Sequence, residues 1–327
     1  MSLPKVYISR RIQDAGMGLL DGRVDYEVWE EIGPVDRHVL LEKGADADGL
    51  LVTLSDRIDD ELLAACPGLK VVSNYAVGYD NIDVGAATRR GVMITNTPDV
   101  LTNATADIAF TLILASARRV VEANAFLRSG DWVTWHPNLL LGADVSGAVL
   151  GIVGMGKIGE AVARRAKGFD MTILYVNRSP REDAERVLGA RKVSLEAMLE
   201  ECDFISLHCP LSDETRGLIG ENELRRMKKT AFLINTSRGP VVDQRALFRA
   251  CSEGWIGGAG LDVFEKEPVP LDEPLLTLPN VTTLPHLGSA TVKAREGMAR
   301  KAAENLLLAL EGKRPVDLVN PEVLKNM

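Results

Sequence analysis

The sequence predicts an α/β protein of the doubly wound, parallel-sheet type, and three observations carry that prediction. Short β-rich apolar runs alternate with helical patterns over most of the chain, the signature of βαβ units. The length of 327 residues exceeds one ordinary domain of roughly 150 and points to about two. The strand-like runs also fall into two series, separated by one long apolar helical stretch and a loop.

In chain order, residues 6–9, 50–54, 71–75 and 92–96 read as strands of a small sheet, separated by turns or helical stretches such as 59–65. Residues 101–119 suit a buried helix. Its most apolar part, 106–117, is interrupted by Asp107, Thr111 and Ser116, short of the roughly 18 uninterrupted apolar residues of a membrane span. A loop over 130–147 carries Trp132, Trp135 and Pro137. Residues 148–153, 171–176, 204–208, 231–235, 259–263 and 281–284 then predict a larger sheet. The final helix, 291–311, stops at Gly312 with Pro315 just beyond.

Composition narrows the function. Lys and Arg number 38 against 46 Asp and Glu, a formal charge of −8 that argues against a nucleic-acid partner. With 46 % hydrophobic and 26 % charged residues the chain can build a sizeable core, which excludes disordered and fibrous classes. Cys66, Cys202, Cys209 and Cys251 are widely spaced and form no CxxC pair, so neither a disulfide scaffold nor a metal site is expected. The chain runs straight into the strand-like Val6-Tyr7-Ile8 with no secretory or other targeting signal, and a reducing cytoplasm is the expected location.

Gly154-Met155-Gly156-Lys157-Ile158-Gly159 matches GxGxxG. With 29 glycines in the chain, roughly 0.2 such matches arise by chance, so context decides. Here the motif follows a strand and opens a helical stretch over 157–169. The first glycine allows the tight turn, the second lets backbone approach a pyrophosphate, and the third lets helix pack on strand. The free N–H groups of the helix start then hold the anion. The next strand ends in Asn177-Arg178-Ser179, with Asn177 standing 23 positions after Gly154, where a ribose-reading residue belongs. The usual carboxylate is missing there. Arg178 can pair with a 2′-phosphate and Ser179 can donate to it, so NADP(H) is expected in preference to NAD(H); the competing reading of Arg178 is a solvated surface cation.

Three further segments follow predicted strands: Ile234 to Gly239, Leu261 to Pro268 and Leu284 to Ser289. Residues just past the carboxyl ends of parallel strands line ligand crevices, so Arg238, Glu267 and His286 are expected to converge beside a bound nicotinamide. Reduction of a 2-oxo acid needs a cation for the substrate carboxylate, a role for Arg238, and an acid for the carbonyl oxygen, a role for His286 with Glu267 as its partner.

Together with Asn74 to Asp83, Asn96-Thr97-Pro98 and His208-Cys209-Pro210-Leu211, these motifs resemble the D-isomer-specific 2-hydroxyacid dehydrogenase family over essentially the whole chain. The resemblance implies Arg238, Glu267 and His286 as catalytic residues. It implies two Rossmann-like domains with an active-site cleft between them: a discontinuous substrate domain of residues 1–100 and 289–327, and a cofactor domain of 101–288. The Val77 and Gly78 N–H groups are expected to receive the substrate carboxylate, with Arg238 and His286 completing substrate binding. Cofactor contacts are expected from Thr105, Gly154 through Gly159, Asn177, Arg178, Ser179, Cys209, Pro210, Thr236, Ser237, Asp262 and Gly288, where Asp262 would accept from the carboxamide. A homodimer is implied, its contact near the 101–119 helix and the tryptophan-bearing loop.

Within the family, Asn177-Arg178-Ser179 is most similar to the glyoxylate and hydroxypyruvate reductase branch. Phosphoglycerate dehydrogenases usually keep an acidic residue there, and many carry a C-terminal regulatory domain for which no room is expected before Met327. Trp135 matches either a residue that restricts the neighbouring subunit's pocket to short substrates or ordinary interface packing. The expected function is therefore NADPH-preferring reduction of glyoxylate or hydroxypyruvate. The alternatives are another enzyme of the family, such as a phosphoglycerate dehydrogenase, or a dinucleotide-sensing co-repressor-like protein, which the lack of polar low-complexity tails disfavours.

Overall fold

The computed structural model describes residues 2–325. The chain forms two compact units, one comprising residues up to Leu101 together with those from Ala290 onward, the other Thr102–Ser289.

The first unit holds β1 (Lys5–Ile8), β2 (Asp25–Val28), β3 (Gly49–Val52), β4 (Val71–Asn74) and β5 (Met93–Thr95) in the order β2-β1-β3-β4-β5, every pairing parallel. One face buries Tyr7, Leu50, Val52, Val72 and Ile94 against Leu62 and Ala86 of the short helices Asp60–Ala65 and Val84–Arg89. The other receives the helix Val292–Leu310, whose Ala302 carbonyl accepts from Ser73 Oγ at 2.8 Å. That helix starts at Thr291, whose side chain accepts from Ala294 N–H.

The second unit holds β6 (Val149–Val153), β7 (Thr172–Val176), β8 (Arg191–Lys192), β9 (Phe204–Leu207), β10 (Phe232–Asn235), β11 (Gly258–Leu261) and β12 (Val281–Thr283). Their order is β12-β11-β10-β9-β6-β7-β8, again all parallel, and it reverses direction between β6 and β9. Successive side chains of a strand face opposite ways. Phe204 accordingly packs with Leu112 and Ile113 of the helix Thr102–Ala117, while Ile205 and Leu207 pack with Met198 and Leu199 on the far face. Burial on both faces explains the near-continuous apolar strands. Fold class and parallel topology match the sequence expectation.

Several details differ, among them the ends of strands expected over 50–54 and 259–263, which stop at Val52 and Leu261. β2 and β8 escape sequence reading because Asp25-Tyr26-Glu27-Val28 and Arg191-Lys192 carry little apolar signal. Both are edge strands, recruited by the backbone of a neighbour, where charged residues are tolerated. The expected helix over 101–119 ends at Ala117, because Arg119 adopts the left-handed conformation (φ 52°) and a second helix, Val120–Ser129, begins. The first helix after β6 closes at Lys167 rather than at Phe169, with Gly168 as its cap.

Candidate active site

The glycine turn sits at the reversal between β6 and β9, where open α/β sheets take their ligands. Gly154 has φ 95°, and a Cβ there would lie 2.7 Å from the backbone nitrogen of Cys209, just past the end of β9. Only glycine meets both demands. Gly159 packs its α-carbon against the Gly154 carbonyl, leaving no room for a side chain. Gly156 differs, with open space where its Cβ would be, and it caps the helix Lys157–Lys167. The Met155 side chain is buried in the core and can offer a ligand only its backbone.

Open space over Gly156, at the N-terminus of an 11-residue helix, suits a pyrophosphate. A second observation lies past β10. The Thr236 hydroxyl is buried and has no hydrogen-bond partner among the described residues, an orphan that a cofactor would satisfy. The residues present therefore fit a dinucleotide.

Beyond β7, Asn177 Nδ2 donates to the Ser179 carbonyl at 3.2 Å. The Arg178 side chain is 88 % exposed, with Glu214 at 3.7 Å, a pair too solvated to hold it in place. Cys209 is buried, and that burial pushes its thiol up to about 11, so it is a neutral wall and no nucleophile; Pro210 beside it is exposed. Burial lowers His208 to about 4, and its Nε2 lies 2.8 Å from Ser206 Oγ, so it is neutral at pH 7.

The Arg238 turn is built by Asn235, the buried last residue of β10. Its Oδ1 accepts from the N–H and the hydroxyl of Ser237 at 3.0 and 2.9 Å, and its Nδ2 donates to the Arg238 carbonyl at 2.8 Å. Gly239 follows because this turn lies directly on the backbone of Phe264 and Glu265, where any Cβ would collide. In the sequence Asn235 stands out only as part of a motif, because the partners of a buried amide are set by the fold.

Glu267 and His286 meet. Glu267 Oε1 accepts from the Phe264 N–H at 3.0 Å, and its Oε2 lies 2.6 Å from His286 Nδ1. Burial alone would raise the Glu267 carboxyl. The hydrogen bond and charge of His286, the Phe264 N–H and the Arg238 charge outweigh it and hold the group below the usual carboxylate range. Because a carboxylate only accepts, Nδ1 carries the hydrogen and Nε2 is left to exchange a proton.

Asp262 braces the same histidine. Its carbonyl accepts from the His286 N–H at 3.0 Å, its Oδ1 from Leu287 N–H at 2.6 Å and its Oδ2 from Gly288 N–H at 2.7 Å. These bonds hold His286 in the left-handed region at φ 56°, a conformation that persists only where surroundings enforce it. Burial raises the Asp262 carboxyl above its ordinary value despite those donors and the His286 charge. Thr105 completes the group, with its Oγ1 3.4 Å from where a Gly288 Cβ would stand. An Arg, an imidazole fixed on a carboxylate and a dinucleotide-type turn suit hydride transfer to a carbonyl beside a carboxylate. Val77 and Gly78 lie in the turn after β4 of the first unit. Among the described residues no group of three His, Cys, Asp or Glu side chains is placed to hold a metal, and no helix is long and apolar enough to cross a membrane.

Residues 110–288 match the model of the D-isomer specific 2-hydroxyacid dehydrogenase NAD-binding domain. The chain is 55 % identical over 326 residues to the glyoxylate reductase of Thermococcus kodakarensis, covering 98 % of each. It is 54 % identical over 323 residues to that of Korarchaeum cryptofilum, covering 98 % of this chain and 97 % of that one. Among solved structures it resembles the NADPH-dependent glyoxylate/hydroxypyruvate reductase of Sinorhizobium meliloti, crystallised with NADP and malonate, at TM-score 0.86 and 35 % identity over 98 % of both chains. With the glycine turn at the sheet reversal and the whole length matched, the chain belongs to the D-isomer specific 2-hydroxyacid dehydrogenases and is an NAD(P)-dependent oxidoreductase.

Proposed function

We propose that this chain reduces small 2-oxo acids, glyoxylate to glycolate and hydroxypyruvate to D-glycerate, with NADPH preferred over NADH. The observation that carries the reading is the 2.6 Å contact of His286 Nδ1 with Glu267 in the unit that holds the glycine turn. The names of the relatives at 54 and 55 % identity support glyoxylate as substrate.

The cofactor, when bound, supplies the hydride. Gly154 to Gly159 and the N–H groups that open the following helix would hold its pyrophosphate, a role supported by the open space over Gly156 and the orphan Thr236 hydroxyl, while Ser237, Cys209, Pro210, Thr105, Asp262 and Gly288 would supply the remaining contacts. Arg178 and Ser179 take a 2′-phosphate, and the exposed, weakly held Arg178 is available for that role. The Arg238 guanidinium and the N–H groups of Val77 and Gly78 bind the substrate carboxylate. His286 delivers a proton from Nε2 to the carbonyl oxygen while Glu267 balances the imidazolium charge.

The working form in this reading is a cytoplasmic homodimer. No residue of the helix Val120–Ser129 is buried, and Val120, Val121 and Leu127 are all more than half exposed, as is Trp135 at 76 %. This exposed apolar surface supports a subunit contact there. Four buried free thiols suit a reducing compartment.

A panel of 2-oxo acids assayed with NADPH and NADH tests the proposal. Highest kcat/KM for glyoxylate or hydroxypyruvate with NADPH is expected; preference for a bulky branched or aromatic acid, or for NADH, overturns the corresponding part.

A further inference from the structure

The turn after β4 holds three successive peptide groups by their carbonyl oxygens. The Thr97 N–H donates to Ala76 O at 2.8 Å, Asn96 Nδ2 to Val77 O at 2.8 Å, and Asn74 Nδ2 to Gly78 O at 2.8 Å. In a planar trans peptide the C=O and N–H point opposite ways. Fixing those oxygens therefore turns the N–H groups of Val77, Gly78 and Tyr79 away from the three donors. None of these N–H groups has a hydrogen-bond partner among the described residues. Val77 and Gly78 are part-buried, where unpaired amides are rare unless something else binds them; Tyr79 is exposed and continues the run, and successive backbone N–H groups in a turn form the concavities that take anions.

The clamp is well anchored. Asn74 is fully buried at the end of β4, and its Nδ2 also reaches Asn81 Oδ1 at 3.3 Å. Asn81 in turn donates to the Thr53 and Asp56 carbonyls at 3.1 and 3.0 Å, which ties the turn to the segment after β3. Asn96 directly follows β5. Each asparagine thus projects a donor from the end of a strand onto one carbonyl. An aspartate would set a carboxylate against that oxygen, and an alanine would leave the peptide free to rotate.

We infer that Asn74 and Asn96 are positioning residues that aim the amides of Val77, Gly78 and Tyr79 at the carboxylate of the substrate, with the Tyr79 N–H as a third donor. The inference rests on the 2-oxo acid reading above and adds to it the residues that orient the loop. Neither asparagine touches substrate; each acts through the peptide it holds.

The test is Asn96→Ala, with Asn74→Ser beside it, in the full-length protein. An oriented donor set binds the carboxylate equally in ground and transition state, and its loss raises KM while sparing kcat. For Asn96→Ala the KM for glyoxylate and the inhibition constant of oxalate should each rise about 10-fold, with kcat within about 3-fold and NADPH affinity unchanged. A variant that loses thermal stability while KM and oxalate inhibition stay at wild-type values overturns the inference. Asn96 is part-exposed, so its variant decides the matter even where Asn74→Ser does not fold. Should the wild type turn over no 2-oxo acid yet bind oxalate in calorimetry, and Asn96→Ala weaken that binding about 10-fold, the clamp stands and only the functional reading fails. Wild-type protein that neither turns over 2-oxo acids nor binds oxalate sinks both.

Discussion

His286 Nδ1 lies 2.6 Å from Glu267 Oε2, and this contact joins a residue past β12 to one past β11. Replacing His286 with Ala should lower kcat by about 10²- to 10⁴-fold, the range for loss of a general acid, while NADPH binding measured by fluorescence is retained. Glu267→Gln keeps the imidazole but loses the charge that balances it, and a smaller fall of about 10- to 10³-fold is expected. Unchanged turnover in His286→Ala would remove this histidine from the mechanism.

The same pair should leave a mark on stability. The Glu267 carboxyl is held below its ordinary value in the folded protein, so the stability it contributes is complete above the ordinary carboxylate range and is lost as pH falls through the lowered value. The difference in Tm between wild type and Glu267→Gln should therefore be largest near pH 7 and shrink in acid. A difference that stays constant from pH 7 to pH 3 counts against the ion pair.

His208 gives a second acid-linked term, with its own window. Burial lowers it to about 4, against an ordinary value near 6.5 in the unfolded chain. The unfolded state binds the extra proton first, so wild-type stability should decline as pH falls from about 6.5 to 4. Replacement by Gln, which can still reach Ser206, should flatten that part of the curve. Parallel curves for the two proteins would show that His208 does not titrate as its surroundings require.

Gly154→Ala tests the turn. Its φ of 95° and the 2.7 Å approach to Cys209 N both oppose a methyl group, so about 1–3 kcal/mol of stability should be lost, together with cofactor affinity. Chemical denaturation and a fluorescence titration measure the two effects. Wild-type values for both would mean that the turn relaxes freely.

Arg178→Ala should behave in the opposite way. With 88 % of its side chain exposed, stability should change by less than about 0.5 kcal/mol. The KM for NADPH should nonetheless rise about 10-fold, from the loss of one charge-assisted phosphate contact, while that for NADH stays put. Equal changes for both cofactors would return Arg178 to the role of a solvated surface charge.

Much of this protein is legible in its sequence because strands buried on both faces are written as apolar runs. The strands β6, β7, β9 and β10 stand where those runs predict them, and the helix over Val292–Leu310 begins and ends at its Thr291 and Gly312 signals. The edge strands β2 and β8 are not legible. Their pairing comes from a neighbour's free backbone groups and leaves no apolar trace. Arg238, Glu267 and His286 could be picked out because each stands just past a strand end, the position from which a parallel sheet presents side chains to ligands.

By itself, then, the sequence determined the parallel α/β class, the glycine turn and the family, since local periodicity and short motifs are written in neighbouring residues. Only the tertiary structure decided which atoms meet. The bonds from Asp262 to Leu287 and Gly288, the hold of Asn235 on the Arg238 turn and the grip of Asn74 and Asn96 on the carbonyls of Gly78 and Val77 join amides and carboxylates to backbone groups. A hydrogen bond depends on distance and direction to within a few tenths of an ångström. Residue order does not carry that precision; it appears when strands far apart in the chain are brought side by side.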